Sequence, residues 1–190
     1  LLTEGTGWAE LTGRVGDLGG SHAAGGWLAL REIIVTRGGE GQGVHSGADP
    51  FYAVFGNASA ALNRALEIQR IVEGSWTGEA EAAGTGRLRV RLGLHTGEVF
   101  VKEGERFEVI GRHVTRGRRV MEAAAPGQIL ASEEVTKAAA DLVDTPKECL
   151  AIEYFGEFYL KGVGATALCE VADLRFRRPE APRLPEGHSL

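Results

Sequence analysis

Apolar and polar residues alternate along RLRVRLGLHTGEVFV, residues 87–101. Alternation places every second side chain on the same side of an extended chain, so this segment predicts a strand with one buried face. The residues on that face are Leu88, Val90, Leu92 and Leu94. A turn at KEGE and a second strand are expected next. Other strands are predicted in a hairpin within 38–55 that ends in FYAVF, at 128–130, and through 148–174.

Apolar residues recur at helical spacing in other segments. Asn57 is a suitable N-terminal cap, and a stripe of apolar residues three to four positions apart follows it, which predicts a helix. That stripe comprises Ala61, Leu62, Ala65, Ile68 and Val72. Further helices are predicted at about 7–16, 21–36 and 110–124, and from Ser132 onward.

The order of these elements bounds the fold and the domain organisation. Strands and helices mix without strict β-α-β alternation, which favours an α+β sheet with helices on one face. Residues 1–3 are predicted to be the end of a strand that runs into the turn EGTG. We expect one domain over residues 1–175, followed by a Pro-rich, charged tail or linker over 176–190.

The composition fits one globular domain. The chain has 190 residues, 43% hydrophobic and 25% charged, and its 21 basic and 26 acidic residues give a net charge of −5. This charge disfavours nucleic acid or anionic lipid as a partner, because both need a broad positive field. No run reaches the ~20 apolar residues of a membrane helix, and no signal peptide is recognisable. Cys149 and Cys169 lack metal-site spacing and are expected to be buried free thiols in a reducing cytoplasm.

The helix predicted at 110–124 carries four arginines, although the protein is acidic. Its apolar stripe is Ile110, Val114, Gly117 and Met121. Thr115 and Arg119 are four residues apart and share a different face. Such a basic face is a solvated surface, a nucleic-acid contact or a clamp for a phosphate, and spacing alone leaves these alternatives open.

Five motifs occur in the order found in one known family. RVRLGLHTGEV is similar to a strand with the pattern R-x-G-x-H-x-G-E-V. VIGRHVTRGRRVMEAAAPGQILAS is similar to a segment in which Gly precedes V-N-x-A-x-R and then P-G-Q-I-L-x-S. LLTEGTGWAEL, HSGADPFYAVF and LKGVG stand in the places of an L-x-T-D-I-x-G-S-T turn, a K-x-x-G-D-G-F-x-x-x-F hairpin and a late L-K-G-x-G strand. Over residues 1 to about 172 the chain resembles the class III adenylate/guanylate cyclases.

The resemblance implies a ferredoxin-like α+β fold, with an antiparallel sheet and the arginine helix packed against it. It implies a cytoplasmic enzyme of cyclic-nucleotide signalling that converts ATP into 3′,5′-cyclic AMP and pyrophosphate. Two Mg²⁺ or Mn²⁺ ions are expected to assist the in-line displacement. The family forms its active sites across a head-to-tail dimer, so the resemblance also implies a homodimer.

By the same resemblance, Asp49 and Glu4 are the expected metal-binding carboxylates, and Gly5 is expected to bind metal through its carbonyl. Glu4 stands where the family has aspartate, and Mg²⁺ tolerates the added methylene poorly because its octahedral geometry is strict. Arg119 matches the arginine that stabilises charge on the α-phosphoryl oxygens in the transition state. Thr115 replaces the asparagine that orients the ribose.

The expected phosphate contacts lie at two turns. Gly7 occupies the family's phosphate-binding turn, where the next two residues are usually small and hydroxylated but here are Trp8 and Ala9. Lys161 is the candidate for the family's phosphate-binding lysine. The equivalent position is alternatively Val163, which has no charge to offer.

Two residues are matched to recognition of the base. His45 stands where adenylate cyclases have the adenine-reading lysine, although the loop before it is longer than the family pattern by about two residues. Glu108 matches the acidic residue that accepts a hydrogen bond from the amino group of the base. An acceptor there favours adenine or cytosine over guanine.

The departures at Glu4 and Thr115 leave a second function open. In that alternative the chain is a catalytically degenerate cyclase-homology domain, which binds nucleotide weakly or only dimerises and so regulates attached domains. His95, in LHTGE, is expected to be a structural residue at the end of a strand rather than a catalytic base.

Overall fold

The computed structural model of the chain describes residues 2–6, 44–45, 51–75, 89–102, 108–143 and 150–175. Its strands are β1 (Leu2–Thr6), β2 (Val44–His45), β3 (Phe51–Ala53), β4 (Arg89–Leu94), β5 (Phe100–Lys102), β6 (Glu108–Ile110), β7 (Ile129–Ser132), β8 (Leu150–Leu160) and β9 (Gly164–Asp173). Its helices are α1 (Ala58–Ser75), α2 (Arg112–Ala123), α3 (Glu133–Ala138) and α4 (Ala140–Val143). The helices predicted at 7–16 and 21–36 and the segment 176–190 lie outside the described residues.

Seven strands form one sheet in the order β2-β3-β1-β4-β7-β9-β8, and β5 pairs with β6 in a separate two-stranded ribbon. The expected α+β class is confirmed. Neighbouring strands of the large sheet are antiparallel, except that β4 and β7 run parallel with Leu92 beside Ile129. A parallel pair needs a long crossover connection, and the chain between β4 and β7 supplies one that includes α2.

Helices cover both faces of this sheet, where one helical face was expected. Along β7, Ile129 and Ala131 pack in the hydrophobic cluster that includes α1 and α3, whereas Leu130 packs in the cluster that includes α2. Successive side chains of a strand point to opposite faces, so α2 lies across the sheet from α1 and α3. Helical spacing in a sequence shows that a helix is amphipathic, but not which face of the sheet receives it.

The helix α1 forms as its sequence predicts. The Asn57 side chain accepts a hydrogen bond of 2.7 Å from the amide of Ala60 and so caps the first turn. The predicted stripe faces the core, with Leu62, Ala65, Ile68 and Val72 all buried. Within the described residues, no helix combines the length and the apolar character needed to cross a membrane.

The helix α2 differs from its prediction at the N-terminal end. Ile110 was expected on the apolar stripe, but it belongs to β6 and is 52% exposed. Gly111 follows with φ of 149°, a backbone conformation that glycine adopts far more readily than other residues. The chain therefore turns at Gly111 before α2 begins. The buried side of α2 comprises Gly117, Val120, Met121 and Ala123.

A buried polar group joins α1 to β9. Asp173 is fully buried at the end of β9, where it accepts hydrogen bonds from Arg175 and from Arg70 Nε, the latter at 2.7 Å. These two guanidinium groups, Arg175 foremost, hold the pKa of the Asp173 carboxyl well below its usual range. Gln69 of α1 also accepts a hydrogen bond from the Asp173 amide at 3.2 Å. The buried charge is therefore fully compensated, as its burial requires.

Cys169 of β9 is a buried free thiol, as expected. Its Sγ lies 3.5 Å from the carbonyl oxygen of Ala131 in β7. Burial raises the pKa of this thiol to about 11, so it carries no thiolate character at neutral pH. Cys149 lies outside the described residues.

Candidate functional site

The outward face of α2 presents the two residues matched to catalysis. Gly117 and Met121 are buried against the sheet, so residues on the opposite side of the helix point away from it. Thr115 is exposed there, and 35% of the Arg119 side chain is accessible. Residues four positions apart are neighbours on a helix, so Thr115 and Arg119 can contact one ligand together.

Arg119 is only partly engaged by the protein. Its Nη1 donates a hydrogen bond to Glu122, and Arg118 Nε donates to the same carboxylate at 3.0 Å. Arg119 Nε is buried and has no hydrogen-bond partner among the residues that the structure describes. A guanidinium has five N–H donors in a planar fork, so donors on the two Nη atoms remain for a phosphate while Glu122 holds the orientation of Arg119.

The turn between β8 and β9 approaches α2 from the side. Arg116 Nη2 donates a hydrogen bond of 3.3 Å to the carbonyl oxygen of Val163 in this turn. Lys161, two residues earlier, is exposed. The side chain of Val163 is partly buried and packs against the hydrophobic cluster below α2. Of the two candidate positions for a phosphate-binding lysine, Lys161 alone has a side chain free to reach a ligand.

The predicted metal-binding residues map to neighbouring strands. Glu4 and Gly5 lie in β1, and Thr3 of β1 is the register partner of Phe51 in β3. Asp49 lies outside the described residues, two positions before Phe51 in sequence, and the structure describes the backbone but not the side chain of Glu4. Among the side chains that it does describe, no group of three or more His, Cys, Asp or Glu residues converges on a metal site.

The residues matched to base and phosphate recognition fall on different elements. His45 lies in β2 at an edge of the large sheet, whereas Glu108 lies in β6 of the two-stranded ribbon. The structure describes the backbone of both residues, but not their side chains. Gly7 and the two residues after it lie outside the described ranges.

Sequence reasoning missed a polar cluster at the ends of β4 and β7. His95 Nδ1 is 2.7 Å from Ser132 Oγ, and His95 Nε2 is 2.9 Å from His113 Nδ1. The two imidazole rings are stacked, with centroids 5.1 Å apart and planes inclined by 19°. Both histidines line a cavity of about 210 Å³ between the β3–α1 loop, the end of β4 and the first turns of α2.

The electrostatics of this cluster favour neutral imidazole at His95. Burial lowers the pKa of His95 to about 4; Glu134 opposes this shift, while His113 and Arg116 add to it. Partial burial tends to raise the pKa of Glu134. Hydrogen bonds from its own amide and from the Ser132 hydroxyl, with the nearby His95, outweigh this, so the pKa of Glu134 lies below its ordinary value. The cluster therefore contains one carboxylate and an uncharged His95 at neutral pH.

His95 follows β4 directly, at the strand end where it was expected. The involvement of His113 could not be predicted, because the pair is 18 positions apart in sequence and the crossover brings it together. One signal was present, the glycine two residues after His95. A Cβ at Gly97 would lie 2.2 Å from His113 Nδ1, so only glycine leaves room for this ring.

Comparison with known families decides the identity of the fold. The family model of the adenylate and guanylate cyclase catalytic domain matches residues 35–170, which is most of the chain. The chain belongs to this family. No curated protein matches the chain. The elements that carry Thr115, Arg119, His95 and His113 therefore all lie within the matched cyclase domain.

Solved cyclase structures share this architecture. An adenylate cyclase from Trypanosoma brucei, solved in its monomeric state, superposes with a TM-score of 0.76 at 20% identity, covering 99% of this chain and 93% of that one. The adenylyl cyclase CyaB from P. aeruginosa gives 0.74 at 19% identity, covering 94% and 93%. The guanylate cyclase domain of RhGC from Catenaria anguillulae in complex with GTP gives 0.68 at 18% identity, covering 90% and 93%. These likenesses show that the chain has the cyclase domain fold.

Proposed function

We propose that this cyclase domain converts ATP into 3′,5′-cyclic AMP and pyrophosphate with Mg²⁺ or Mn²⁺. The observation that carries the proposal is the outward face of α2, where Arg119 stands one turn after Thr115 with 35% of its side chain accessible. The turn that bears Lys161 lies beside this face. A hydroxyl and two cations on one side of the domain are the groups that a ribose triphosphate needs.

The proposed reaction is an in-line displacement at the α-phosphorus. The ribose 3′-oxygen forms a bond to this phosphorus, the bond from the phosphorus to the α,β-bridging oxygen breaks, pyrophosphate leaves, and the hydroxyl proton passes to solvent. Negative charge grows on the α-phosphoryl oxygens as this happens. We assign Arg119 to donate charge-assisted hydrogen bonds to those oxygens. Thr115 is assigned to hold the ribose through its hydroxyl.

We assign metal binding to Glu4, Asp49 and the carbonyl of Gly5. This donor set is all oxygen, which suits Mg²⁺ and Mn²⁺, and β1 pairs with β3, the strand that follows Asp49. A bound metal would lower the pKa of the 3′-hydroxyl and neutralise phosphate charge. Because Glu4 is longer than the family's aspartate, we expect Mn²⁺, which is less demanding in geometry, to support the reaction better than Mg²⁺.

The remaining assignments concern the base and the outer phosphates. Glu108 is proposed to accept a hydrogen bond from the 6-amino group of adenine, and His45 to contact the ring. The amides of the turn at Gly7 and the ammonium of Lys161 are proposed to hold the pyrophosphate that leaves. Cyclases of both base specificities are similar to this chain, so Glu108 is the feature that favours ATP over GTP.

We further propose that the working unit is a homodimer in the cytoplasm, where ATP is available. Phe100 and Ile110 are register partners in the β5–β6 ribbon, and they are 77% and 52% exposed. A pair of exposed apolar side chains supports an interface at this ribbon. The ribbon leads directly into α2 through Gly111, so a second chain bound there would lie next to the proposed triphosphate site.

The proposal is tested by measuring cyclic-nucleotide production with Mn²⁺ or Mg²⁺ and each of the four triphosphates. Arg119→Ala is expected to lower kcat by ~10²-fold or more while changing KM much less, because its hydrogen bonds strengthen in the transition state. Arg118→Ala is the matched control. Arg118 pairs with the same Glu122 from a more exposed position, so its loss should change kcat by less than about twofold.

Two outcomes would contradict the proposal. Product formation that survives Arg119→Ala unchanged would remove the assigned role of this arginine. GTP turnover well above ATP turnover would remove the assigned role of Glu108. Absence of product with every triphosphate and metal would leave the second candidate function described next.

The second candidate is a degenerate cyclase domain that binds nucleotide without turnover. The observation in its favour is chemical: Glu4 and Thr115 both differ from the family pattern at positions assigned to the reaction. In this case Arg119→Ala should weaken nucleotide binding by about 1.5–3 kcal/mol, with no turnover to lose. Isothermal titration with ATP and Mn²⁺ distinguishes the two functions when combined with the product assay.

A further inference from the structure

The polar cluster at the end of β4 forms a directional chain of hydrogen bonds. Arg112 Nε donates to His113 Nε2 at 3.4 Å, and His113 Nδ1 is 2.9 Å from His95 Nε2. His95 Nδ1 is in turn 2.7 Å from Ser132 Oγ. This hydrogen-bond chain links the first turn of α2 to the last residue of β7, across the end of β4.

The Arg112 end of this hydrogen-bond chain assigns the proton positions. A guanidinium can only donate, so His113 Nε2 must accept, and the proton that His113 donates must be on Nδ1. His95 Nε2 is then an acceptor, so the proton of His95 is on Nδ1. Ser132 Oγ accepts from His95 Nδ1, and its own proton is directed away from the two histidines.

The helix α2 lacks the usual means of fixing its first turn. Its N-cap residue is Gly111, which has no side chain and makes no capping hydrogen bond, whereas Asn57 caps α1. His113 lies in this uncapped turn, with its ring held between His95 and Gly97. Ser132, at the other end of the hydrogen-bond chain, is fully buried and belongs to β7 of the large sheet. The hydrogen-bond chain thus ties the first turn of α2, which has no side-chain cap, to the large sheet.

We propose that His113 is a positioning residue, which fixes the first turn of α2 through His95 and Ser132 and so places Thr115 and Arg119 for the nucleotide. The part of this inference that concerns Thr115 and Arg119 rests on the proposed function. His113 lies two residues before Thr115 and on the sheet side of the helix, so it acts through the position of α2 and does not contact the substrate.

The first test is spectroscopic and independent of catalysis. Long-range ¹H–¹⁵N correlation spectra of the full chain at pH 7.5 report the tautomer of each imidazole. We expect Nδ1–H tautomers at both His95 and His113, a form that a free histidine side chain disfavours. An Nε2–H tautomer at either residue would overturn the hydrogen-bond chain, whether or not the protein has cyclase activity.

The second test separates the hydrogen bond from the ring. His113→Phe keeps an aromatic ring against His95 but removes both nitrogens, whereas His113→Asn keeps an N–H donor near the position of Nδ1. Amide hydrogen exchange of residues 114–116, the first amides of α2 with backbone acceptors, is expected to accelerate about fivefold to tenfold in His113→Phe and less than about twofold in His113→Asn. Equal protection in the two variants would overturn the proposal.

A third variant interrupts the hydrogen-bond chain at its end in the sheet. Ser132→Ala leaves α2 untouched and removes the partner of His95, so it should accelerate exchange in the same turn even if His113→Phe folds poorly. If the domain is an active cyclase, His113→Phe should also lower kcat by about tenfold with KM within about twofold, and His113→Asn should recover most of this loss. An increase in KM with an unchanged kcat would contradict a positioning role for His113. If the domain has no turnover, the exchange and tautomer results still decide the inference.

Discussion

Gly93 of β4 lies directly against the backbone of Met121 in α2. A Cβ at residue 93 would be 2.5 Å from Met121 N and 2.6 Å from Met121 Cα. A Cβ essentially never comes within 3.0 Å of a heavy atom outside its own and adjacent residues, so α2 can rest on the sheet at this height only because residue 93 is glycine. The glycine therefore sets how far Thr115 and Arg119 stand from the sheet.

Gly93→Ala is expected to lower the free energy of unfolding by about 1–3 kcal/mol, because the clash involves helix backbone that cannot rotate away. Urea unfolding followed by circular dichroism measures the change. Gly56→Ala is the control, since a Cβ there meets nothing within 4 Å. Its effect should stay within about ±0.5 kcal/mol. Equal effects at the two positions would show that α2 does not rest on Gly93 as described.

The stability of the domain should fall as the pH is lowered from about 6.5 to about 4. Burial lowers the pKa of His95 from 6.5 to about 4, so in this window the unfolded chain binds a proton that the folded chain does not. Below the folded pKa both states are protonated and the effect no longer grows. Above about 6.5 both states are neutral, and the contribution of His95 is constant.

The measurement is the free energy of unfolding at half-unit pH steps from 4.5 to 7.5, in wild type and in His95→Gln. The wild-type slope should exceed that of the variant, with an upper limit of ~1.4 kcal/mol per pH unit for one proton. Asp173 and Glu134, whose folded pKa values are also depressed, lose their contributions only at lower pH, as each carboxylate is protonated. Superimposable slopes would contradict the lowered pKa of His95.

Glu4 should govern which metal supports the proposed reaction. Glu4→Asp is expected to raise the ratio of Mg²⁺-supported to Mn²⁺-supported rate, because the shorter side chain restores the carboxylate position of the family. Glu4→Gln should lower the rate with either metal by ~10²-fold or more. Glu157→Gln, an exposed position on β8, controls for the loss of one negative charge. A metal ratio that is the same in wild type and Glu4→Asp would count against Glu4 as a ligand.

Cys169 should be unreactive in the folded protein. In a Cys149→Ser background, its alkylation by iodoacetamide at pH 8 is expected to be at least ~10²-fold slower than in 6 M guanidinium chloride, since the thiol is buried and its pKa is raised to about 11. Mass spectrometry at timed quenches gives both rates. Rapid labelling without denaturant would mean that β9 opens readily or is not packed as described.

Several elements were predictable because their causes are local. The cap at Asn57 and the buried stripe of α1 follow from a side chain that reaches its own helix and from a repeat of 3.6 residues. The buried face formed by Val90, Leu92 and Leu94 follows from the period of two along a strand. The motifs around Arg119 were enough to identify the family, and the comparison over residues 35–170 confirmed it.

The end of α2 shows where local patterns are insufficient. Ile110 continues the helical spacing of Val114 and Gly117, yet it belongs to β6 because Gly111 adopts φ of 149° and ends the strand there. The predicted roles of Glu4, Asp49, His45 and Glu108 remain predictions, because the resemblance assigns them and the described side chains do not include them.

The sequence by itself determined the α+β class and the cyclase family, since these depend on periodicity and on motifs read within single segments. Only the tertiary structure decided that α2 lies across the sheet from α1, that Gly93 sets its height, and that His95 meets both His113 and Ser132. These relationships join residues from four segments of the chain, which are α1, the end of β4, α2 and β7. The hydrogen bonds of 2.7 and 2.9 Å and the close approach at Gly93 exist only after β4 and β7 have paired in parallel.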